Sequence, residues 1–561
     1  MGFDLQTADA DLLGRIPLAA TSVLEVGCGN GLLAAAYKRR NPKARYLGIE
    51  ADPVTAEAAA ARLDAVAVVD VEREPLPFPG ETFDCILYGG VLSRLGDPWA
   101  LLRRHTEALR ENGVAVISIA NLEHWRFAEQ LLRGSWNYED SGLLDRANVR
   151  WFTLPMLRAA LSGAGLHPVD VAPRLGDTAE AEQFVRTIEP GLAALGVDVP
   201  HFLRRAATER YIWRATRKPV DRIHVTSTML APIGGVSHVR VVEPMQAMGT
   251  DPAVSGRIVS PTTAIEQPDP PPRIFVYHRP LLAGDEGIQH VRELIGAGYV
   301  LVCEFDDHPD YIKVLQRPDI QNFRAVHAIQ TSTEPLATVL RRENPEVAVF
   351  PNAVHELDSP RNFTDPTRLT LFFAGLNREE EWPPLLPALN AAASIVGERL
   401  RFHIVNDRGL FDALMTPHKQ FTPLCDYATY RSLLAQCEFS FMPLADGPFN
   451  RCKSDLKFLE AAACGVTAVA SEVVYSNSIE DGRTGFVFRD ARELQQKLLH
   501  LVAQPDLAQA MGLAARTHVA EHRMLAYQVQ NRIAWYRSLW ARREALHKSL
   551  LARVPELARP A

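Results

Sequence analysis

The stretch "SVLEVGCGNGLLAAAYKRR", Ser22 to Arg40, sets the reading of the whole chain. Its branched, apolar opening predicts a strand that ends at Glu25. Glycines follow at Gly27, Gly29 and Gly31, and "LLAAAYKRR" then predicts a helix. Glycine at a strand-to-helix turn permits tight turning and lets a ligand approach the backbone at a helix N-terminus. A second strand, "RYLGIEA", ends in Glu50, about twenty residues on, where a carboxylate accepts hydrogen bonds from ribose hydroxyls. Strand, glycine turn, helix, strand and acid in this order predict a parallel α/β sheet that binds a nucleoside-containing cofactor.

Outward from this stretch the alternation continues. "AVAVVDV", "FDCILYGG", "GVAVISIAN" and "ERYIWRATR" complete a first set of strands, closing near Arg217. The pattern restarts after Lys218-Pro219 with "RIHVTSTML", "RIFVYHRP", "YVLVCEFDD" and "AVHAIQTS". The polar, proline-bearing "HELDSPRNFTDPTR" reads as a linker. A third set follows: "LTLFFAG", "LRFHIVND", "CEFSFMPL", "VTAVAS" and "TGFVFRD". The expected fold class is therefore α/β with three doubly wound units. The expected boundaries are 1–218, 219–365 and 366–520, with a helical tail over 521–561.

A chain of 561 residues exceeds what one core supports, in keeping with several units. An apolar fraction of 47 % and a charged fraction of 23 % are those of a water-soluble globular protein. The net charge of −7 argues against a general nucleic-acid binder. Seven scattered cysteines without a C-x-x-C pair predict free thiols in a reducing, cytoplasmic setting, with no zinc site. "MGFDLQTADADLL" lacks the order of a signal peptide, and no apolar run of about 18 residues predicts a membrane span.

The first unit resembles class I S-adenosylmethionine-dependent methyltransferases. The motif E-x-G-x-G-x-G at Glu25, Gly27, Gly29 and Gly31 carries the resemblance, over roughly residues 10–217. It implies that the glycines line the methionine and ribose part of the cofactor and that Glu50 holds the ribose. Asp70 and Val71, at the end of "AVAVVDV", match the family position beside the adenine. The Asn/Asp-Pro-Pro-aromatic signature of nucleic-acid amino-methylases is absent from "YGGVLSRLGDP". "GSWNYEDSGLLDRANVRWFT" resembles a segment of methyltransferases from surface-sugar pathways, although Arg94 and Asn148 stand where relatives often have histidine. Oxygen methylation calls for either a base near the hydroxyl or a well-placed hydroxyl beside the sulfonium. His124 and Asp145 are the candidates, each with a plain alternative as a surface histidine and a helix-capping aspartate.

The remaining two units resemble a GT-B glycosyltransferase close to family 4, a retaining family, over about residues 222–520. The decisive segment is "NRCKSDLKFLEAAACGVTAVAS", Asn450 to Ser471, followed by "DGRTGFVF". Read as one continuous helix, it places Lys453, Lys457 and Glu460 on a shared face. Glu460 matches the second glutamate of the family's E-x(7)-E motif, while Cys452 stands in place of the first. The resemblance implies that Glu460 accepts hydrogen bonds from the donor's ribose and that Lys453, Arg378 and, more weakly, Lys457 neutralise its diphosphate. Gly234 and Gly235, after the unit's first strand, suit an anion at a helix N-terminus. In "CEFDDHP", Asp306 and Asp307 are candidates for acceptor hydroxyl contacts, for metal ligation, or for a strand-end salt bridge; no metal is expected. The basic, aromatic tail around Trp535, Tyr536 and Trp540 is expected to cross back onto the first glycosyltransferase half or, as the alternative, to lie on an anionic membrane face.

The combined expectation is a cytoplasmic bifunctional methyltransferase and glycosyltransferase of surface-glycan synthesis. Its cofactor is S-adenosyl-L-methionine, its donor a nucleotide-diphosphate sugar, and its acceptor a glycan or lipid-linked glycan; nucleic acid is not a partner. The alternatives are a glycosyltransferase with a non-catalytic methyltransferase-fold module, or one that acts on a protein such as flagellin.

Overall fold

The computed structural model describes residues 8–230, 235–261, 263 and 267–558. The chain divides into two compact units: Met1–Arg222 with Gly249–Ala253, and Ile223–Met248 with Val254–Ala561.

In the first unit seven strands form one sheet. They are β1 (Ser22–Val26), β2 (Arg45–Glu50), β3 (Ala65–Val68), β4 (Phe83–Gly89), β5 (Leu109–Ala120), β6 (His167–Leu175) and β7 (Thr208–Thr216), in the order β3-β2-β1-β4-β5-β7-β6. β1 to β5 run parallel, and β7 is antiparallel to both β5 and β6. Strands β1 and β4 are almost wholly buried, as expected where helices cover both faces. The strand order reverses between β1 and β4, so the carboxyl ends of these two strands flank a crevice. β6 is a strand that the residue pattern does not announce. "HPVDVAPRL" carries Pro168 and Pro173 and lies half exposed at the sheet edge, the one place where proline costs no interior ladder bond. Helix α1 (Leu32–Arg40) follows the glycine turn and collects Lys38, Arg39 and Arg40 in its last turn, where cations favour the helix dipole.

The second unit holds two parallel sheets. One comprises β8 (Ile223–Thr228), β9 (Val254–Val259), β10 (Arg273–His278), β11 (Val300–Glu304), β12 (Ala328–Thr331) and β13 (Val347–Val349), in the order β13-β12-β11-β10-β8-β9. The other comprises β14 (Leu369–Ala374), β15 (Leu400–Val405), β16 (Lys419–Thr422), β17 (Phe439–Met442), β18 (Thr467–Ser471) and β19 (Phe486–Phe488), in the order β16-β15-β14-β17-β18-β19. The strand orders reverse at β8/β10 and at β14/β17. β9, β13 and β16 are short, partly exposed edge strands with weak apolar patterns, which hides them from a sequence reading.

Two helices matter for the site: α2 (Tyr427–Leu434) and α3 (Leu456–Cys464). The buried run Ala461–Ala463 lets α3 lie close against β18 and the helix Pro505–His522. A later helix, α4 (Val529–Ala541), begins the tail, which returns to the β8–β13 sheet. Leu550, Val554 and Leu557 join that sheet's core. The buried Arg532 guanidinium stacks 4.3 Å from the Phe350 ring, and Tyr536 donates a 2.8 Å hydrogen bond to Gln330. These contacts seat Arg532 and Tyr536 in the protein interior, with Trp535 and Trp540 partly buried. Among the described residues no helix is long and apolar enough to cross a membrane.

Candidate functional sites

At the end of β1 the chain turns through Gly27, Gly29 and Gly31 at φ of +75°, +54° and +77°. A Cβ on Gly31 would come within 2.5 Å of the Leu63 side-chain end and 3.3 Å of Ala59 Cα, so the left-handed backbone calls for glycine there and close packing adds to it. A Cβ on Gly29 would meet nothing within 4 Å, so this turn is open on its outer side. The Gly29 N–H donates to Glu50 Oε2 at 2.9 Å, and the Ala51 and Asp52 N–H groups donate to Glu50 Oε1 at 2.9 and 3.2 Å. Three backbone donors thus fix the Glu50 carboxylate beside the glycine turn. Glu25 is buried and accepts the Tyr46 hydroxyl at 3.0 Å. Burial pushes its carboxyl up to about 8. Asp70 lies past β3, half exposed, 3.3 Å from Arg73, and the Val71 carbonyl accepts from Arg104 at 2.5 Å.

This carboxyl makes a testable statement about pH. Its folded value lies above the unfolded one, so the stability tied to Glu25 is complete below about 4.5 and is lost as pH rises through 8. Glu25→Gln keeps the shape and removes the charge. Thermal unfolding midpoints should therefore favour the variant over wild type more strongly at pH 8.5 than at pH 5; an equal difference at both would show that Glu25 titrates normally.

The two expected bases stand differently from expectation. Asp145 is tied to Arg94 at 3.0 Å and accepts the Ala147 N–H at 2.9 Å. The two positions singled out in separate segments are thus partners of each other, and the carboxylate is occupied rather than poised for a hydroxyl. His124 is buried and caps the helix Trp125–Leu132, its Nδ1 accepting the Arg126 N–H at 3.4 Å. In the neutral ring that places the proton on Nε2, whose atom is buried with no partner. Burial, aided by Arg126, lowers its pKa to about 4. His124 is therefore neutral, with Nδ1 engaged in the helix cap and Nε2 buried without a partner.

In the second unit the segment expected to be one helix is broken. A short helix, Pro448–Arg451, ends before Cys452, and α3 starts at Leu456, so Lys453 lies in the break and does not share the face of Lys457 and Glu460. The break has a cause in its partners. Ser454 accepts from Asn352 at 2.7 Å, and the Asp455 carboxylate receives Arg523 at 2.7 and 3.0 Å and Ser478 at 2.6 Å. These tertiary bonds outbid a further helical turn.

Lys457 and Glu460 do share a face of α3. Lys457 Nζ donates to the Ala374 carbonyl at the end of β14, 2.8 Å away, and burial lowers its pKa to about 8. Glu460 accepts Tyr427 at 2.9 Å on one oxygen and Tyr430 at 2.8 Å on the other. The two tyrosines are one turn apart on α2, and sequence reasoning missed both, although an i, i+3 pair of polar-tipped rings is a legible signal. Gly235 comes close to this group: a Cβ there would lie 2.8 Å from Tyr427 and 3.3 Å from Glu460. Gly234 lies outside the described residues. Arg378 follows β14 and contacts Glu381 at 3.4 Å, and Glu381 also accepts Asn450 at 2.8 Å.

Asp306 and Asp307 follow β11 and take part in an ion-pair cluster. Arg279 reaches Asp306 and Asp307, each at 2.8 Å, and Lys453 reaches Asp307 at 2.6 Å. Arg279 is a further residue that sequence reasoning overlooked. Among the described residues no group of three or more His, Cys, Asp or Glu side chains could hold a metal ion.

A cavity of about 750 Å³ opens beside these groups, lined by Thr333, Glu381, Lys453, Ser454, Asp455 and Ser471 among others. Among the described residues, four non-glycine positions have positive φ: Arg279, Asn377, Asn406 and Val474. Each follows the carboxyl end of a parallel strand, respectively β10, β14, β15 and β18. Left-handed φ costs on the order of 1–3 kcal/mol per residue and persists where the surrounding structure imposes it, as at binding edges.

A family model described as a methyltransferase domain matches residues 24–115, and one described as glycosyl transferase-like matches residues 385–534. The chain carries a methyltransferase domain and a glycosyltransferase-like domain. A ubiquinone biosynthesis O-methyltransferase of Cereibacter sphaeroides is 29 % identical over 168 residues, covering 29 % of this chain and 66 % of that protein. Another from the same species is 31 % identical over 175 residues, with the same coverage. The chain thus spans just under two thirds of the length of these relatives. Among solved structures, Anabaena HepE in complex with UDP and glucose aligns with 56 % of this chain and 99 % of its own, at 12 % identity and a TM-score of 0.41. The α/β fold class holds throughout: a Rossmann-like methyltransferase domain, then two parallel sheets in the GT-B manner.

Proposed function

We propose that the chain is a bifunctional enzyme of surface-glycan assembly. In this reading residues 1–218 form the S-adenosylmethionine-dependent methyltransferase domain, residues 219–365 the acceptor lobe and residues 366–520 the donor lobe of a family 4-like, retaining glycosyltransferase. The carrying observation is the gathering of Arg378, Lys453 and Glu460 around Lys457 at the carboxyl end of β14, with Lys453 lining a cavity large enough for a sugar nucleotide.

Each residue has a distinct part. The Glu460 oxygens each accept one phenol and retain further lone pairs, enough for two ribose hydroxyls. Arg378 and Lys453 meet the diphosphate whose charge grows as the glycosidic bond breaks, and fixed cations lower the barrier through that charge. In the other domain the open Gly29 turn and the backbone-held Glu50 fit the ribose and methionine portions of S-adenosylmethionine. Bound there, that cofactor supplies an electrophilic methyl group.

A panel of S-adenosylmethionine, UDP-sugars and GDP-sugars on the full chain, read by thermal shift, tests both halves. Independent stabilisation by the cofactor and by one class of sugar nucleotide is the expected outcome; no response to either would end the proposal. The Arg94–Asp145 pair and the proton on His124 Nε2 favour a second reading, in which the methyltransferase fold binds the cofactor without turnover. Cofactor binding without methylation of any sugar would support it.

Two further outcomes follow from the donor assignments. Glu460→Gln and Tyr430→Phe should each raise the Michaelis constant for the donor about tenfold with little change in kcat, since the ribose is unaltered in the reaction. Loss of kcat alone would contradict the ribose role. Sugar transfer should also persist in EDTA; activity abolished by EDTA and restored by manganese would promote Asp306 and Asp307 to metal ligands.

A further inference from the structure

Lys453 and Arg279 meet on a single carboxylate. Lys453 comes from the break before α3, in the β14–β19 sheet's lobe, and Arg279 from the end of β10, in the β8–β13 sheet's lobe. Lys453 Nζ lies 2.6 Å from Asp307 Oδ1, Arg279 Nη2 lies 2.8 Å from Asp307 Oδ2, and Arg279 Nε lies 2.8 Å from Asp306 Oδ1. Both oxygens of Asp307 are therefore taken by cations. Burial would raise the Asp307 pKa, yet Lys453, Arg279 and Arg378 outweigh it and hold it below its ordinary value. Three cations thus act on one anionic group, and one of them, Lys453, lines the 750 Å³ cavity. Arg279 holds a left-handed backbone at φ +47° while it reaches both aspartates. Lys453 is free of helical restraint, so its ammonium can exchange partners without unwinding a turn.

We propose that Asp307 is an internal stand-in for the donor's diphosphate: it occupies Lys453 and Arg279, and the diphosphate takes both cations from it on binding. The proposal rests on the reading of Lys453 as a diphosphate ligand and adds Arg279, from the opposite lobe, to Lys453 and Arg378. Its physical basis is charge balance. Asp306 and Asp307 neutralise Arg279 and Lys453 in a partly buried site, so an incoming anion must displace a carboxylate before it gains either cation. A guanidinium is suited to the exchange, because its planar fork pairs with carboxylate and phosphate oxygens alike. Deleting the Asp307 charge leaves the cation cluster one unit in excess, and binding of a polyanion then strengthens while binding of its uncharged part does not.

The test is titration calorimetry of the full chain with UDP, GDP, inorganic pyrophosphate, uridine and guanosine. Asp307→Asn is the first variant and Asp307→Ser the second, should the first fail to fold. The expected result is roughly fivefold tighter binding of the preferred nucleoside diphosphate and of pyrophosphate, with unchanged nucleoside binding. The gain should vanish in Lys453→Ala/Asp307→Asn. If the Asp307 variants bind diphosphates no more tightly than wild type while Lys453→Ala binds them more weakly, the stand-in is refuted and the Lys453 reading survives. If Lys453→Ala binds diphosphates as wild type does, the underlying reading falls and the proposal with it.

Discussion

Gly29→Asp is expected to lose S-adenosylhomocysteine affinity by at least about 100-fold while keeping its fold. A carboxylate at this position stands beside Glu50, whose oxygen accepts the Gly29 N–H, and fills the open side of the turn. Steric exclusion together with a second negative charge costs about 3 kcal/mol or more, which is two decades in affinity. Folding should survive. Aspartate is among the residues that tolerate left-handed φ, and a side chain at 29 meets no protein atom within 4 Å. Gly31→Asp is the contrasting control, because its Cβ would collide with Leu63 at 2.5 Å. The first variant should therefore separate binding from stability, and the second should lose both. Equal affinity of Gly29→Asp and wild type in calorimetry would move the cofactor site elsewhere.

The second large effect belongs to Lys453. Lys453→Ala should lower kcat for sugar transfer roughly 100-fold, in addition to weakening the donor. The ammonium faces a group whose charge grows toward the transition state, so its removal costs more there than in the ground state. Asp307 makes the effect readable in two ways. In Lys453→Ala it retains Arg279, so Asp307 keeps its ion pair within the β8–β13 sheet's lobe and loses only the pair that reaches across to Lys453. The loss is then of catalysis more than of structure, and circular dichroism of the variant should match wild type. Unchanged steady-state kinetics would return the Asn450–Ser471 stretch to a solvated face on a structural helix.

These two variants probe residues of unequal legibility. Gly29 could be assigned from spacing alone, because the turn, its helix and the acid at the end of β2 are local consequences of one strand–turn–helix unit. The same holds for Glu460, which sits on a helix whose small residues face a sheet. Lys453 was named for the right charge but placed on the wrong geometry. Nothing within Asn450–Asp455 breaks a helix; Arg523, Ser478 and Asn352, remote in sequence, do so by bonding Asp455 and Ser454. His124 and Asp145 likewise were named for their chemistry, and only the fold shows the helix-cap hydrogen bond and the Arg94 ion pair that engage them.

The sequence by itself determined the α/β class, the three successive alternating sets, the glycine turn after β1 and the helix that carries Glu460. All follow from periodicity and residue type over a few tens of residues, where local sterics and burial decide. Only the tertiary structure decided the edge strands β6, β9, β13 and β16, because an edge strand buries too little to need a strong apolar pattern. It alone brought Tyr427 and Tyr430 onto Glu460, and Arg279 and Lys453 onto Asp307. Those partners lie 28 to 146 residues apart, and an ion pair or a phenol–carboxylate bond leaves no mark in the chain at that distance. Their pairing is set by where parallel strands end, and that is a property of the folded sheets.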